Sequence, residues 1–381
     1  MPWVIKTLWV LAAFHILSTW VLAVRTGLKA RRVKQDGAAA EFILEPVSVI
    51  VPAWNECQRV EKCIQALQAV DYAEFEVLIL AGGEDGTYPI AERAIQGDDR
   101  FQLLPRGSEP KNAALNQGIA QAQHDILVLL DADNIVEPGW LLALVAPLSQ
   151  GADASVGESF PNLWTWVTRE RQMWHLHTYE ILQLPLIQGD RSVAVRREAL
   201  EAVGGLPTHT YAREDWDLGV RLEKGGYTIG YSKGARLVTD WPSSLKELWQ
   251  LQVRWRRTNL AGLWEQRQFY LQHFKAGFRQ LYFYLLSLGV VLYLMSGATL
   301  ALCVPAWRVV FFQSLLALLV WLVFRPPALS AEIAAYTRDP AWLKFAWANI
   351  VVMFVELCAS LFAIVSVNKL NPFYKGARHE V

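Results

Sequence analysis

Four long apolar stretches, at residues 4–24, 277–304, 309–324 and 342–367, restrict what this chain can become more than any other feature of it. Each is long enough, or nearly so, to cross a hydrocarbon core of about 30 Å as a helix. A helix satisfies its own backbone hydrogen bonds, so it is a form in which such a stretch can leave water. At 53% hydrophobic residues the chain exceeds the usual soluble range of about 45–50%, and the excess lies in these segments. The first, VIKTLWVLAAFHILSTWVLAV, is followed by Arg25, Lys29, Arg31, Arg32 and Lys34. Positive charge after a long apolar run reads as a retained anchor over residues 1–25, not a cleaved leader, with the next domain in the cytoplasm. An integral protein of the plasma (inner) membrane is expected. Three later crossings would carry the basic end NKLNPFYKGARHEV outside, against the same rule, unless the short segment before RPPALSAEIAAYTRDP re-enters or lies flat. Both readings stay open. Cys57, Cys63, Cys303 and Cys358 form no CxxC and predict no disulfide framework. Formal net charge is zero, and no nucleic acid partner is expected.

Between the apolar stretches the text is that of a soluble α/β domain. A linker at 26–46 leads into residues 47–242, where short strands read at 47–51 (VSVIV), 76–80 (EVLIL), 101–104 and 126–130. Helical patterns follow at 56–69, 87–95, 112–122 and 137–148, so a mostly parallel sheet of β-α-β units is predicted. A Trp-rich stretch at 163–186 has a mainly helical pattern, and a turn-rich part runs from 189 to 241. Residues 243–276 mix Leu and Trp with Arg and Lys at helical spacing; they can lie in the membrane interface or pack on the soluble domain. An apolar region at 277–368 and a basic tail at 369–381 complete the division.

The strand in DILVLLDADN ends in Asp131 and Asp133, and carboxylates at the carboxyl end of a central α/β strand lie where such sheets bind ligands. Hard divalent cations take oxygen ligands, commonly one or two carboxylates plus phosphate and water. Asn55, in AWNE, can cap the next helix. AGGEDGT carries Glu84 and Asp85, PKNAALNQG sets Lys111, Asn112 and Asn116 at a helix start, and REDWDLGVRL does the same for Glu214, Asp215 and Asp217. Plainer readings stand beside these. Asp217 can simply stabilise a helix start. His175 and His177, two apart on a helix, face different sides. Asp190 can form a turn, Trp164, Trp166 and Trp174 can be packing residues, and Arg256 and Arg257 interfacial charges.

VSVIVPAWNE, PKNAALNQGIA, DILVLLDAD, GDRSVAVRREALEAVGGL, YAREDWDLGVRL and QVRWRR together resemble the family 2 glycosyltransferases, enzymes of GT-A fold. The resemblance is specifically to membrane-embedded members such as cellulose, chitin and hyaluronan synthases and ceramide glucosyltransferase, over residues 47–257. The resemblance implies a nucleotide-sugar donor held by Pro52, Ala53, Glu56, Asp85, Lys111, Asn112, Asp131 and Asp133, with Mg²⁺ or Mn²⁺ on Asp131 and Asp133. It implies Asp215 as the general base, and Gly189, Asp190, Glu214, Gln252, Arg254 and Trp255 around the acceptor or diphosphate. Two positions depart from the family pattern. Leu251 stands where the first Gln of Q-x-x-R-W is expected, with Gln252 after it, and Leu80-Ala81 stands where an acidic pair holds the base, leaving Asp85 and then Glu84 as substitutes.

An inverting, metal-dependent transferase is therefore expected, moving a sugar, UDP-linked by expectation, to a lipid or glycolipid at the cytoplasmic face of a bilayer. Processive polysaccharide synthesis is the alternative, disfavoured by Leu251 and by the few apolar segments after the domain. A nucleotidyltransferase would need a Gly-rich, Arg-containing loop where VPAWNECQRV stands. A scaffold or transporter would leave Asp131, Asp133 and Asp215 without a purpose, and the apolar segments hold few ionisable residues: Lys6, His15, Arg308, Lys344 and Glu356.

Overall fold

The computed structural model describes residues 2–33, 45–183, 187, 192–208, 214–265, 267–272 and 274–366. Gly189, Asp190, most of the linker and the basic tail, and the expectations resting on them, lie outside the described residues. The chain begins in α1 (Pro2–Val33). The soluble region runs through β1 (Val47–Trp54), α2 (Val60–Gln68), β2 (Phe75–Gly82), α3 (Thr87–Ala94), β3 (Phe101–Pro105), α4 (Lys111–Gln121) and β4 (Ile126–Leu129). It continues with β5 (Ile135–Val136), α5 (Trp140–Ser149), β6 (Ala154–Pro161), α6 (Trp166–His175), β7 (Val193–Arg196), α7 (Arg197–Ala202), α8 (Glu214–Lys224) and β8 (Ile229–Thr239). Next come α9 (Leu245–Glu265), α10 (Arg267–Gln272) and the apolar α11 (Phe274–Cys303), α12 (Arg308–Phe324), α13 (Ala328–Thr337) and α14 (Ala346–Ser366).

The strands form one sheet in the order β3-β2-β1-β4-β7-β6-β8-β5. Its first half is parallel, as the β-α-β pattern predicts. Alternation along each strand explains why these strands read as unbroken apolar runs. Val47, Val49 and Val51 of β1, with Val77 and Ile79 of β2 and Ile126 and Val128 of β4, meet Ile64, Leu67, Trp140 and Leu144 on one face. Ile50, Leu78, Leu80 and Leu127 meet Leu115, Leu200, Leu218 and Leu222 on the other. Successive side chains point to opposite faces, and with both faces covered each position is apolar. Burial of each large side chain stabilises by roughly 1.5–3 kcal/mol.

The second half is mixed: β7 runs antiparallel to β4 and β6, β8 parallel to β6, and β5 antiparallel to β8. The turn-rich reading of 189–241 missed β7 and β8, and β6 was missed too. The cause is local: β7 has four residues, and β6 shifts register between Val156 and Glu158 around Gly157. Other boundaries also moved. Asn55 does not cap α2. It adopts φ +54°, a left-handed conformation that Asn tolerates, and its Oδ1 accepts from the Glu84 N–H at 2.9 Å. The helix expected from 56 starts at Val60, and the one expected from 137 starts at Trp140. The Trp-rich stretch begins with a capping box between Thr165 and Thr168, then loosens after His175 into a π-helical turn ending at Ile181, short of the expected 186.

The apolar helices pack in a definite register. Trp9 Nε1 donates to Gln313 Oε1 at 3.1 Å, and Trp20 Nε1 to the Phe324 carbonyl at 2.8 Å. Gly27 lies so near α13 that a Cβ there would sit 2.4 Å from the Glu332 carbonyl oxygen. Thus α1 runs parallel to α12 and α13, which are separated at Pro326-Pro327, while α11 forms a hairpin with α12 through Tyr293 and Phe311. Helix α14 behaves differently. Val352 packs on Val167 and Leu248, Glu356 Oε1 lies 3.3 Å from both Gln252 Nε2 and an Arg256 nitrogen, and Arg257 Nε donates to Ser366 Oγ at 3.0 Å. One side of it therefore rests on α6 and the charged α9, while Met353 and Leu357 pack on Leu286 of α11 and on Leu318, Trp321 and Leu322 of α12.

Leu78, fully buried, marks the core: Leu78→Ala is expected to cost about 2–5 kcal/mol. Leu17→Ala, on the exposed face of α1, is expected to change stability by less than about 0.5 kcal/mol, both read from unfolding of the full chain in detergent.

Candidate active site

Strand β1 pairs in parallel with β2 on one side and with β4 on the other, so a crevice opens beyond their carboxyl ends. Asp131 and Asp133 follow β4 at this edge. Lys111, the first residue of α4, brings Nζ to 2.6 Å from Asp131 Oδ1, with both side chains 37% exposed. The amino end of α4 adds its own partial positive charge. Beneath, the buried Cys63 thiol faces the Asp131 carbonyl at 4.0 Å; burial, then Asp133, Asp131 and Glu56, raise its pKa, so it is a structural thiol. Two arginines enter the crevice that the sequence reading did not single out. Arg59 Nε donates to Asp240 Oδ2 at 2.8 Å, with another nitrogen 3.8 Å from Glu56 Oε2. Burial alone would lower its pKa, but Asp240, Glu56 and Asp133 together raise it. Arg106 lies 5.6 Å from the Trp54 ring; burial lowers its pKa against the opposing pull of Glu109, Asp131 and Glu56.

Pro52 and Ala53 lie inside β1 and are buried, paired with Leu80 and Ala81 of β2; Trp54 and Glu56 come next at the crevice. Asp85 holds two loops together. Its Oδ2 accepts from the Cys57 N–H at 3.0 Å and its Oδ1 from the Thr87 N–H and hydroxyl, while Thr87 Oγ1 accepts from the Glu56 N–H at 2.7 Å. Gly83, at φ +114°, permits the close approach: a Cβ there would meet Asn55 Oδ1 at 2.1 Å. Asn112 and Asn116 donate to the Pro207 and Leu206 carbonyls at 2.8 and 2.7 Å. They tie α4 to the segment preceding α8, the helix that opens with Glu214 and Asp215. Asp215 Oδ1 accepts from the Trp216 N–H at 2.8 Å. Asp217 pairs with Arg221 Nε at 2.7 Å, and Arg221 also binds the Val203 and Gly205 carbonyls, a structural role.

On α9, Trp255 faces Arg171 of α6, whose guanidinium carbon lies 4.6 Å from the Trp255 ring and 5.0 Å from that of Trp241. Arg254 is half-buried beside it. Gln252, expected at the clamp, is buried and donates to Glu356 of α14 instead; Leu251 is buried too. His175 packs 4.6 Å from Trp241, and His177 pairs with Glu332 at 2.7 Å, so the two rings do serve different sides. Among the described residues no group of three or more His, Cys, Asp or Glu could hold a metal ion by itself. An oxygen-only pair, Asp131 and Asp133, fits Mg²⁺ or Mn²⁺ where a ligand supplies the other oxygens. Arg59 and Asp240 had weak signals: one basic residue in the first turn after β1, and an acidic one at the end of β8.

A family model described as glycosyl transferase family 2 matches residues 48–202, and one described as glycosyl transferase family group 2 matches residues 126–325. Glycosyltransferase AglE of Haloferax volcanii is 29% identical over 194 residues, covering 49% of this chain and 64% of its own length. The probable glycosyltransferase YdaM of Bacillus subtilis is 25% identical, covering 57% of this chain and 56% of itself. Poly-beta-1,6-N-acetyl-D-glucosamine synthase of Staphylococcus aureus is 24% identical, covering 56% and 54%. The chain thus spans less than two thirds of these relatives' lengths. In structure it is similar to a mannosyltransferase from Pyrobaculum calidifontis in complex with GDP-Man and Mn²⁺, with TM-score 0.51, 17% identity and coverage of 93% of this chain and 99% of that one. That likeness bears on the fold alone, and the expected GT-A fold with apolar flanking helices is borne out.

Asp85 gives this site a pH signature. Burial alone would raise its carboxyl, but hydrogen bonds from Thr87 and Cys57 outweigh burial and hold it below the ordinary 3.8. Its contribution is therefore complete above about pH 4 and is lost as pH falls through the depressed native value. Asp85→Asn is expected to lower the thermal midpoint at pH 7 and to flatten its fall below pH 4, measured by a pH series of melting curves.

Proposed function

The chain belongs to glycosyl transferase family group 2, and on that premise we propose that it transfers a sugar, with inversion, from a nucleotide-diphosphate donor to a membrane lipid or glycolipid. The observation that carries this reading is the crevice beside β4, where Lys111 meets Asp131 at 2.6 Å next to Asp133, Glu56 and Arg59. Alternating cationic and anionic groups suit a diphosphate together with a divalent cation. Asp131 and Asp133 would hold Mg²⁺ or Mn²⁺, whose chemistry is to stabilise negative charge on the departing nucleotide diphosphate. Lys111 and the amino end of α4 bind phosphate oxygens, and Arg59 adds charge while Asp240 fixes its direction. Asp85, anchoring the loops after β1 and β2, shapes the base pocket for a uridine donor.

Asp215 takes the proton of the acceptor hydroxyl as its oxygen bonds to the anomeric carbon and the bond to the diphosphate breaks. A single displacement of this kind inverts that carbon. Trp255, stacked with Arg171, forms with Arg254 a wall for the acceptor sugar or lipid head, to which Glu214 contributes. Gln252 bound to Glu356 favours one transfer to a lipid over processive polymer synthesis, since it anchors α9 to α14 rather than guiding a glycan. Asp133→Asn and Asp215→Asn are each expected to lower transfer at least about 100-fold. Calorimetry should separate them: Asp215→Asn keeps metal-dependent donor binding and Asp133→Asn loses it. Full turnover by Asp215→Asn would remove this mechanism.

We further propose that α1, α11 and the α12–α13 pair cross the membrane, while α14 lies along its boundary with the catalytic domain on the cytoplasmic side. The contacts of Val352, Glu356 and Ser366 with α6 and α9 support this, because α9 carries Lys246, Glu247, Arg254, Arg256 and Arg257 and is too charged to enter hydrocarbon. The parity conflict in the sequence then disappears, with the chain leaving α14 on the positive side. In a bacterial host, alkaline phosphatase fused after residue 381 should be inactive, and inserted after residue 305 active. An active fusion at 381 would mean that α14 crosses.

A further inference from the structure

Apart from the Asp131 crevice, a cleft of about 560 Å³ lies between β6, β8, α6, the π-helical turn and the end of α13. It meets the two strands at Glu158, Phe160, Lys233 and Arg236, in mid-strand and set back from the carboxyl end of β8, where Asp240 joins the crevice through Arg59. Its charges balance one by one. Glu158, 5% exposed, accepts from Arg236 Nε at 3.3 Å, the Gly234 N–H at 3.0 Å and the Tyr231 hydroxyl at 3.1 Å. Glu180 accepts from Lys233 Nζ and the Tyr336 hydroxyl. Each carboxylate therefore has a cation of its own. The third cation of the lining, Arg338, is exposed, and its side chain has no partner among the described residues. One positive charge is left in surplus, beside Lys233 and Arg236.

Two further observations bear on the occupant. Helix α13 ends on Arg338 in the left-handed region, at φ +62°, where Gly or Asn is the usual residue. Asp339, next in the chain, does not neutralise it, because its carboxylate caps the following turn through the Ala341 N–H at 2.9 Å. On the far wall Gln172 is 7% exposed, and its Oε1 has no hydrogen-bond partner. A buried acceptor without a donor is costly, which suits a ligand that carries a hydroxyl as well as negative charge. Height in the membrane identifies the source of that ligand. The apolar span of α1 ends at Ala30, which packs beside Ile333 and Tyr336, and Arg338 follows Tyr336 by two residues. The mouth of the cleft thus stands where hydrocarbon gives way to headgroups. It is also the side on which the sequence past Ala30 turns basic, with Arg31, Arg32 and Lys34, a pattern that attracts anionic lipid.

We propose that this cleft binds the headgroup of an anionic membrane lipid, with the lipid phosphate on Arg338, Lys233 and Arg236 and a headgroup hydroxyl donating to Gln172. The site is separate from donor and acceptor binding. It rests on the crossing of α1 proposed above and not on the lipid-acceptor reading.

The test is photocrosslinking of the full chain in nanodiscs, with photoreactive phosphatidylglycerol or photoreactive phosphatidylcholine at equal mole fraction and labelled peptides mapped by mass spectrometry. Phosphatidylglycerol should label the segments around residues 233–236 and 336–338 about tenfold more than phosphatidylcholine does, the effect of roughly 1.4 kcal/mol. Arg338→Gly removes the guanidinium where glycine suits the backbone, so the thermal midpoint should hold while the preference is lost. Arg338→Lys keeps the charge and should keep most of the preference, and metal-dependent donor binding should be unchanged in both variants. Equal labelling by the two lipids, or a preference untouched by Arg338→Gly, overturns the proposal. So does calorimetric binding of millimolar inorganic phosphate in phosphatidylcholine nanodiscs without preferential lipid labelling, which would make the ligand a soluble anion. Labelling of the exposed face of α1 reports the crossing on its own. If it occurs without labelling of the cleft, the site is overturned and the crossing stands; if neither lipid labels α1, the crossing fails and the site with it.

Discussion

Parallel pairing of β4 with β1, covered by helices on both faces, determines where chemistry can happen in this protein. Val47 to Ile50 lie opposite Ile126 to Leu129, and a slip of one residue would turn each side chain toward the wrong layer. Leu130 remains buried, and Asp131 is then the first carboxylate that the strand can deliver to the edge. The Lys111–Asp131 pair is partly exposed, so it contributes little to stability. Its importance is positional: it sets a cation and two carboxylates side by side at the one edge where helix α4 also points its amino end.

Helix α6 joins this crevice to the apolar helices. At about 1.5 Å per residue its ten residues are only about 15 Å long, yet three environments meet on it. Arg171 stacks on Trp241 and Trp255 of the soluble domain and α9, Glu170 binds Asn349 of α14, and Trp166 lies 4.8 Å from Trp347. Aromatic and charged contacts of this kind hold the domain against the apolar helices at a fixed height. The π-helical turn after His175 continues the connection, letting Tyr179 stack on Tyr231 while His177 reaches Glu332.

Helix α14 shows how apolar length and polar contact combine in one element. Its composition is that of a span, yet Asn349, Glu356 and Ser360 are buried toward protein, while Phe354, Phe362 and Val365 are exposed. Asn349 binds Glu170 of α6 and Ser330 of α13, Glu356 binds Gln252 of α9, and the Ser360 hydroxyl turns back to the Glu356 carbonyl.

Much was legible in the chain before folding was considered. Apolar length marked α1, α11 and α12, period-two and continuous apolar runs marked β1, β2 and β4, and DILVLLDAD marked the carboxylates at the sheet edge, because these depend on burial and spacing within one segment. The short β7, the bulged β6 and the start of α2 were not legible, since pairing partners and the left-handed Asn55 decide them. Nor were the roles of Arg59, Arg106, Asp240 and Arg171 visible, as each is defined by a partner distant in sequence. Gln252 illustrates the same limit: its sequence neighbours Arg254 and Trp255 fit the family pattern, but its hydrogen bond goes to Glu356, 104 residues later. Composition and periodicity determined the layers of this protein and the edge at which its carboxylates emerge. Tertiary contact alone decided which charges meet there and which apolar helix rests against the charged α9, because a side chain's partner is set by where the rest of the chain comes to rest.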